Sequence, residues 1–183
     1  MGKLYESIAP EHEAFIRQQS IFFVASAPVA ADGHVNVSPK GLDTFRVLDP
    51  HSVMYLDLTG SGNETAAHLD QNGRLTLMFC AFEGSPKILR LYCRGRVVTR
   101  ASAEWAERIA AFPAIPGVRQ VIVADVYEVQ TSCGFGVPLL SVVGARDQLT
   151  RWAEAKGGDA LVEYRRTRNA TSLDGLPSPR TDT

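Results

Sequence analysis

The segment from Arg74 to Val98 constrains this chain more than any other. Arg74–Phe82 (RLTLMFCAF) is apolar at both odd and even positions, so as a strand it needs cover on both faces. Gly84-Ser85-Pro86 then reads as a turn. Lys87–Val98 (KILRLYCRGRVV) continues at strand period, interrupted by Gly95, where a bulge or bend is expected. A central buried strand that turns back into a long second one indicates an antiparallel sheet.

Other strand-like runs flank this pair. They are Ser20–Ser26, His34–Ser38 after the Asp32-Gly33 turn, Thr44–Leu48, Ser52–Leu58 and the long Arg119–Gln130. Helices are expected near Pro10–Gln19, Glu64–Gln71, Ala103–Phe112 and Arg146–Lys156. In the second, Ser61 with Glu64 fits a capping box, Asn63 is an alternative N-cap, and Gly73 closes the end. Trp105, Ile109 and Phe112 form an apolar stripe on the third, and Leu149, Trp152 and Ala153 on the fourth, which Gly157 ends. Strands come in runs instead of alternating with helices, and no G-x-G-x-x-G follows a strand, so a parallel α/β sheet is disfavoured. The expected fold is mainly β: an antiparallel Greek-key barrel with flanking helices, spanning residues 1–164. From Arg165 onward periodic apolar residues are lacking. Residues 165–183 read as a tail with a loose end, on which Leu173 and Leu176 are available to dock.

At 183 residues the chain is of single-domain size. It can bury roughly 70 % of its unfolded surface, so a core needs no disulfide or metal. A content of 45 % hydrophobic and 21 % charged residues excludes wholesale disorder, collagen and coiled coil. The 19 basic and 20 acidic residues leave no basic excess for nucleic acid, so any bound anion must be held by a local cluster. Cys80, Cys93 and Cys133 have no C-x-x-C spacing, which indicates neither a disulfide framework nor a zinc site and points to a reducing compartment. The acidic, polar opening MGKLYESIAPEHEAF does not read as a signal peptide. No apolar run nears the ~20 residues of a membrane span. The expected location is cytoplasmic. His12, His34, His51 and His68 lack metal-ligand spacing, and G-x-S-x-G is absent.

Four stretches carry possible chemistry. In Asn36-Val37-Ser38-Pro39-Lys40-Gly41, period two puts Asn36, Ser38 and Lys40 on one face, either as an anion or cofactor edge or as a solvated strand face. Thr59-Gly60-Ser61-Gly62-Asn63-Glu64-Thr65 is a glycine-rich loop before a helix start. Its N–H groups suit a phosphate, although no G-K-[ST] is present and a plain capped helix explains it equally. On Lys87–Val98, Arg90, Arg94 and Arg96 share a face and need anions or carboxylates between them. Arg90, between Leu89 and Leu91, is the one least suited to solvent alone. Thr131–Pro138 (TSCGFGVP) is a loop with an aromatic between glycines, fit to cover a flat ligand or to meet a subunit. No base neighbours Cys133 in sequence, so no nucleophilic cysteine is assigned.

Taken in order, VNVSPKG (Val35–Gly41), MYLDLTGSGNETAAHL (Met54–Leu69), GRLTLMFCAFEGSPKILRLYCRGRV (Gly73–Val97), SCGFGVP (Ser132–Pro138) and NATSLDGLP (Asn169–Pro177) resemble the pyridoxamine 5'-phosphate oxidase-like family of FMN-binding split barrels. The resemblance implies a six-stranded antiparallel split barrel, acting as a homodimer with FMN in clefts at the subunit interface. By position it assigns cofactor contacts to Asn36, Val37, Ser38, Pro39 and Lys40, to Tyr55 and Leu56, and to Asn63, Glu64 and Thr65 at the phosphate-holding helix start. Lys87 and Arg90 would line the cleft, and Cys133, Gly134 and Phe135 would come from the partner. The chain departs from the family's pyridoxamine phosphate oxidases at Val35, where they carry arginine, and at Asn63-Glu64-Thr65, where they carry an Arg-Lys pair. Their C-terminal arginine and histidine pattern is also absent. Lys40, Arg90 and helix N–H groups would have to replace the missing cations. The function implied is an FMN-dependent oxidoreductase acting on an unidentified small molecule. Alternatives are a non-catalytic module holding flavin, haem or another flat ligand, and a deazaflavin-dependent reductase.

Overall fold

The computed structural model describes residues 2–179. Along the chain lie β1 (Lys3–Tyr5), α1 (Pro10–Gln18), β2 (Phe22–Ser26), β3 (Asn36–Lys40), β4 (Phe45–Asp49), β5 (Ser52–Leu58), α2 (Glu64–Asn72) and β6 (Arg74–Cys80). They are followed by β7 (Ile88–Val98), α3 (Trp105–Ile109), β8 (Val118–Ser132), α4 (Gln148–Lys156) and α5 (Gly158–Arg168). Eight strands form one sheet in the order β3-β2-β6-β7-β8-β5-β4, with β1 added on β8. Every pairing is antiparallel. The doubly apolar β6 lies inside the sheet between β2 and β7, as its composition requires.

Strands β3 and β4 end the sheet without pairing to each other, so the barrel is split. Lys40 on β3 reaches across to Asp57 on β5, and the Leu56 N–H, donating to the Thr44 carbonyl, carries the β4–β5 pairing one residue further. Period two divides the apolar residues between two cores. Inside the barrel Val24, Leu77, Leu91 and Ile122 pack beside an aromatic group of Phe22, Phe45, Phe79 and Tyr55. On the outer face of β5 and β8, Met54, Leu56, Val121 and Val123 pack under Trp105, Ile109 and Phe112. The stripe expected around α3 is therefore used, although the helix itself spans only Trp105–Ile109.

Several expectations change. Gly95 does not make a bulge. It pairs with Ala124, and the register shift falls one turn of pleat earlier, between Tyr92 and Cys93. Gly95 is there because α2 packs close: an added Cβ would lie 3.0 Å from both Leu69 and Leu75. The Ser61–Glu64 capping box is not formed. Asn63 is the N-cap residue, but no side chain caps the helix. Gly73 does close α2, with φ 67°. Leu149 on α4 is exposed, and only Ala153 of its expected buried face is fully covered. Trp152 instead stands edge-on to Tyr164.

The largest correction concerns the C-terminus. The boundary at Arg165 falls inside α5, and Arg165 is buried. Its guanidinium donates to Thr59 Oγ1 at 2.8 Å and to the Val118 carbonyl at 2.9 Å. Beyond α5, Asn169 and Ser172 are also buried, and Thr171 bridges to Pro177. Polar anchors hold this stretch, which is why an apolar-periodicity reading missed it. Leu173 is exposed instead of docked, and the end of the tail lies outside the described residues.

Candidate functional site

The polar residues of β3 point one way. Asn36, Ser38 and Lys40 are half-buried, whereas Val37 and Pro39 are exposed on the opposite face. β3 ends the sheet, so Pro39 sits where a missing N–H is tolerated. The polar face is wired to α2: the Ser38 hydroxyl donates to Asn36 Oδ1 at 3.1 Å, and Asn36 Nδ2 donates to Thr65 Oγ1 at 3.0 Å. The next rung is Ser26 with His68 Nδ1 at 3.0 Å. Together these bonds fix one wall against the helix start.

The floor is ionic. Asp57 Oδ1 accepts from Lys40 at 2.8 Å. Asp57 Oδ2 accepts from Arg119 Nη2 at 2.7 Å and from Gln120 Nε2 at 2.8 Å. Asp57 and Arg119 are 4 % and 3 % exposed. Burial pushes the Asp57 carboxyl up, but Arg119 and Lys40 outweigh it and hold the group far below the usual carboxylate range. Register makes this possible, because Asp57 lies directly opposite Gln120 across β5 and β8. Gln120 also donates to Asn63 Oδ1 at 2.9 Å, so the Asn63 side chain joins the floor and not the helix cap.

The rim is the glycine-rich loop with the chain's C-terminal stretch laid along it. Arg119 Nη1 donates to the Gly62 carbonyl at 2.9 Å and to Asn169 Oδ1 at 2.8 Å, and Asn169 Nδ2 donates to the Gly60 carbonyl at 3.1 Å. Both carboxylate oxygens of Glu64 accept from the Leu173 N–H, at 3.1 and 3.0 Å. Asp174 holds His34 through its backbone N–H at 2.8 Å and its Nδ1 at 2.5 Å. This hydrogen bond and charge raise the pKa of His34 and lower that of Asp174.

These walls enclose an open cleft of about 230 Å³, lined by Asn36, Ser38, Asp57, Gly60–Thr65 and Arg119. It presents the hydroxyls of Ser38, Ser61 and Thr65 and the first turn of α2, whose N–H groups have no partner within the helix. Two cations, Lys40 and Arg119, hold Asp57, and Glu64 also lines the cleft, so two cations stand against two carboxylates. The hydroxyls, the helix N–H groups and Arg119 are donors that suit a small anion backed by a hydrogen-bonding chain.

The other expected contacts lie elsewhere in the protomer. Tyr55 and Leu56 are fully buried, one in each core. Lys40 Nζ stands 5.9 Å from the centre of the Tyr55 ring. Burial, with Asp57 nearby, raises the pKa of the Tyr55 hydroxyl. Lys87 turns to the Phe15 ring, 4.8 Å away. Arg90 donates to Ser132 Oγ at 3.2 Å and is not among the cleft-lining residues. The carboxylate expected beside the arginine face belongs to Glu104, which pairs with Arg96. Cys133 and Phe135 are exposed beside the β7 start, and Gly134 has φ 68° with its α-carbon so close to Lys87 that a Cβ would meet that residue's backbone nitrogen at 3.0 Å.

Asp57, Arg119, Gln120 and Asn169 were not anticipated. Asp57 did carry a signal, because a carboxylate inside the apolar run Val53–Leu58 must find a cation. Arg119 and Gln120 likewise open an apolar strand. Asn169 opens the NATSLDGLP stretch of the family resemblance, but no contact was assigned to it.

Comparison with known proteins places the chain. The pyridoxamine 5'-phosphate oxidase family matches residues 8–133. The chain is 42 % identical over 194 residues to the pyridoxamine 5'-phosphate oxidase family protein ustO of Aspergillus flavus, covering 97 % of this chain and 78 % of that one. Among solved structures it is similar in fold to HupZ of Group A Streptococcus, with TM-score 0.54 and 21 % identity over 67 % of this chain and 91 % of that one. A candidate pyridoxamine 5'-phosphate oxidase of Lactobacillus delbrueckii gives TM-score 0.53 and 20 % identity over 68 % and 94 %. With a split antiparallel barrel and a match across most of its length, the chain belongs to the pyridoxamine 5'-phosphate oxidase family.

Proposed function

We propose that this protein binds FMN and works as an FMN-dependent oxidoreductase on a small molecule. The observation that carries the reading is the cleft itself: hydroxyls, helix N–H groups and the Arg119 guanidinium around a small open volume, in a chain of this family. The residues fit a phosphate-bearing cofactor in three respects. Ser61, Thr65 and the first turn of α2 would hold the phosphate. Lys40 spends one of its three donors on Asp57 and has others to offer. Arg119 is fixed by Asp57, Gly62 and Asn169, and contributes positive charge without needing to move.

Ligand pockets usually exceed about 300 Å³. The cleft's 230 Å³ is therefore a subsite for the phosphate and sugar-alcohol end, not for the whole cofactor. Completion by a second subunit supplies the remainder. The surface has apolar residues to spend on such a contact: Val35 and Val37 on the free edge, and Phe135, Leu139 and Val143 on the segment after β8. A homodimer with Cys133–Phe135 brought to the partner's cleft is part of the proposal.

Bound FMN would supply one- and two-electron transfer. The protein's contribution is orientation through Asn36 and Ser38, and charge through Lys40. No proton-transfer residue is assigned: both carboxylates lining the cleft, Asp57 and Glu64, are already engaged by donors. That same observation favours a second reading, a module that holds a flavin without turnover.

A visible spectrum of the purified protein, with mass identification of any bound molecule, tests the proposal. Expected are flavin absorbance bands, or quenching of added FMN at roughly micromolar concentration. A colourless protein that quenches no FMN overturns it, and a deazaflavin mass replaces the cofactor. Reduction of the bound flavin by NADH or NADPH, with turnover on reoxidation, separates enzyme from module. Light scattering that gives a monomer at micromolar concentration overturns the completed-cleft arrangement.

A further inference from the structure

Glu64 is a problem for any anion in this cleft. It lines the cleft, it is the first residue of α2, and a carboxylate there competes for the same helix N–H groups that an anion would use. In the structure the Glu64 carboxylate is bonded from outside the helix. Both oxygens of Glu64 are taken by one backbone donor, the Leu173 N–H.

That donor is held in place by a compact polar hairpin. Ser172 N–H donates to the Leu176 carbonyl at 2.8 Å, Gly175 N–H to the Ser172 carbonyl at 3.0 Å, and Ser178 N–H to the Ala170 carbonyl at 2.9 Å. Asn169 ties the start of the hairpin to Arg119 and the glycine-rich loop, and Asp174 ties its tip to His34. Leu173 is the second residue of the Ser172–Gly175 turn, and its side chain is 72 % exposed. The backbone, not the side chain, is what this position contributes.

We infer that the 169–178 hairpin is a charge-masking strap, and that the Leu173 N–H is a positioning group which draws the Glu64 carboxylate off the helix start so that the cleft can accept a phosphate. The inference rests on the anion-binding reading above. It assigns the strap a part in selecting phosphorylated over unphosphorylated ligands. It also accounts for a carboxylate at a helix start that has to receive an anion: the strap supplies the donor that this carboxylate would otherwise take from α2.

Proline deletes the N–H at 173 and is favoured at the second position of a turn, so Leu173→Pro removes the donor while keeping the turn. Leu173→Ala keeps the donor and removes only the exposed side chain. Fluorescence titrations of the full chain compare FMN with riboflavin, which has the same ring and no phosphate. Leu173→Pro is expected to weaken FMN about tenfold, the size of one partly screened charge beside a phosphate, and to leave riboflavin unchanged. Leu173→Ala keeps the wild-type preference. Adding Glu64→Gln to Leu173→Pro restores FMN affinity to that of Glu64→Gln alone. The inference is overturned if Leu173→Pro binds FMN like the wild type, if both flavins weaken together, or if Glu64→Gln gives no rescue. A wild-type protein that binds neither flavin overturns the flavin reading itself, which is a different result.

Discussion

Tyr55 and Asp57 stand two residues apart on one face of β5, both shut away from water, and their surroundings are opposite. Tyr55 lies among Phe22, Phe45 and Phe79, whose rings meet at centroid distances of 5.0–5.7 Å, edge to face except for the stacked Phe22–Phe79 pair. Asp57 lies among Lys40, Arg119 and Gln120. Apolar burial is non-directional and scales with area, so the interior asks of a residue chiefly its volume. Buried charge is tolerated only with its partners in place, so the rim asks for specific atoms at specific positions. The interior therefore makes the barrel, and the rim makes this particular cleft.

The sharpest way to break that contrast is a pair of shape-conserving substitutions. Asp57→Asn leaves Lys40 and Arg119 without their carboxylate and is expected to cost about 3–5 kcal/mol, as for a buried ion pair deprived of one partner. Leu77→Met, at a fully buried position, is expected to cost less than about 1.5 kcal/mol. Urea denaturation of both variants measures the difference; equal losses would dissolve the distinction between the two regions. Asn169→Ala comes next. It takes an acceptor from buried Arg119 and a donor from the Gly60 carbonyl, for an expected loss of about 1–3 kcal/mol. A loss confined to a few tenths would mean that the C-terminal hairpin is not part of the rim.

The smallest effects are electrostatic and are read by pH. His12 and His68 are buried, and burial lowers both their pKa values below 6.5. Their neutral forms are favoured on folding, so their contribution is complete above 6.5 and is lost as pH falls through that value toward the lowered ones. His34 behaves oppositely. Its bond to Asp174 raises its pKa, so its contribution is present below 6.5 and lost as pH rises through the raised value. Because His34 is exposed, its titration is better followed by NMR than by stability. Its imidazole is expected to titrate at higher pH than those of His12 and His68, and Asp174→Asn is expected to bring it down. The reverse order would remove the hairpin's attachment at its tip.

Much of the interior could be read directly from residues. The doubly apolar run at Arg74 announced a strand covered on both sides, and Ser52–Leu58 was located to the residue. The alternation in Asn36–Lys40 announced which side chains share a face, two of which, Asn36 and Ser38, line the cleft, because a pleated strand leaves no choice of face. The glycine-rich loop and the closure of α2 at Gly73 were equally local. The rest of the site was not local. Asp57, Arg119 and Asn169 are separated by 62 and 50 residues along the chain and meet only because β5 pairs with β8 and the C-terminal hairpin returns across the loop.

By itself, then, the order of residues determined the strands, their faces, the apolar content of the barrel and the kinship of the chain, since periodicity and turn chemistry act between neighbours. Only the tertiary structure decided that Lys40 gives one of its donors to Asp57, that Arg90 bonds at Ser132 away from the cleft, and that Glu64 is bonded to the Leu173 N–H. The reason is physical: a charge chooses its partner by distance through space, and that distance does not exist until the sheet has closed.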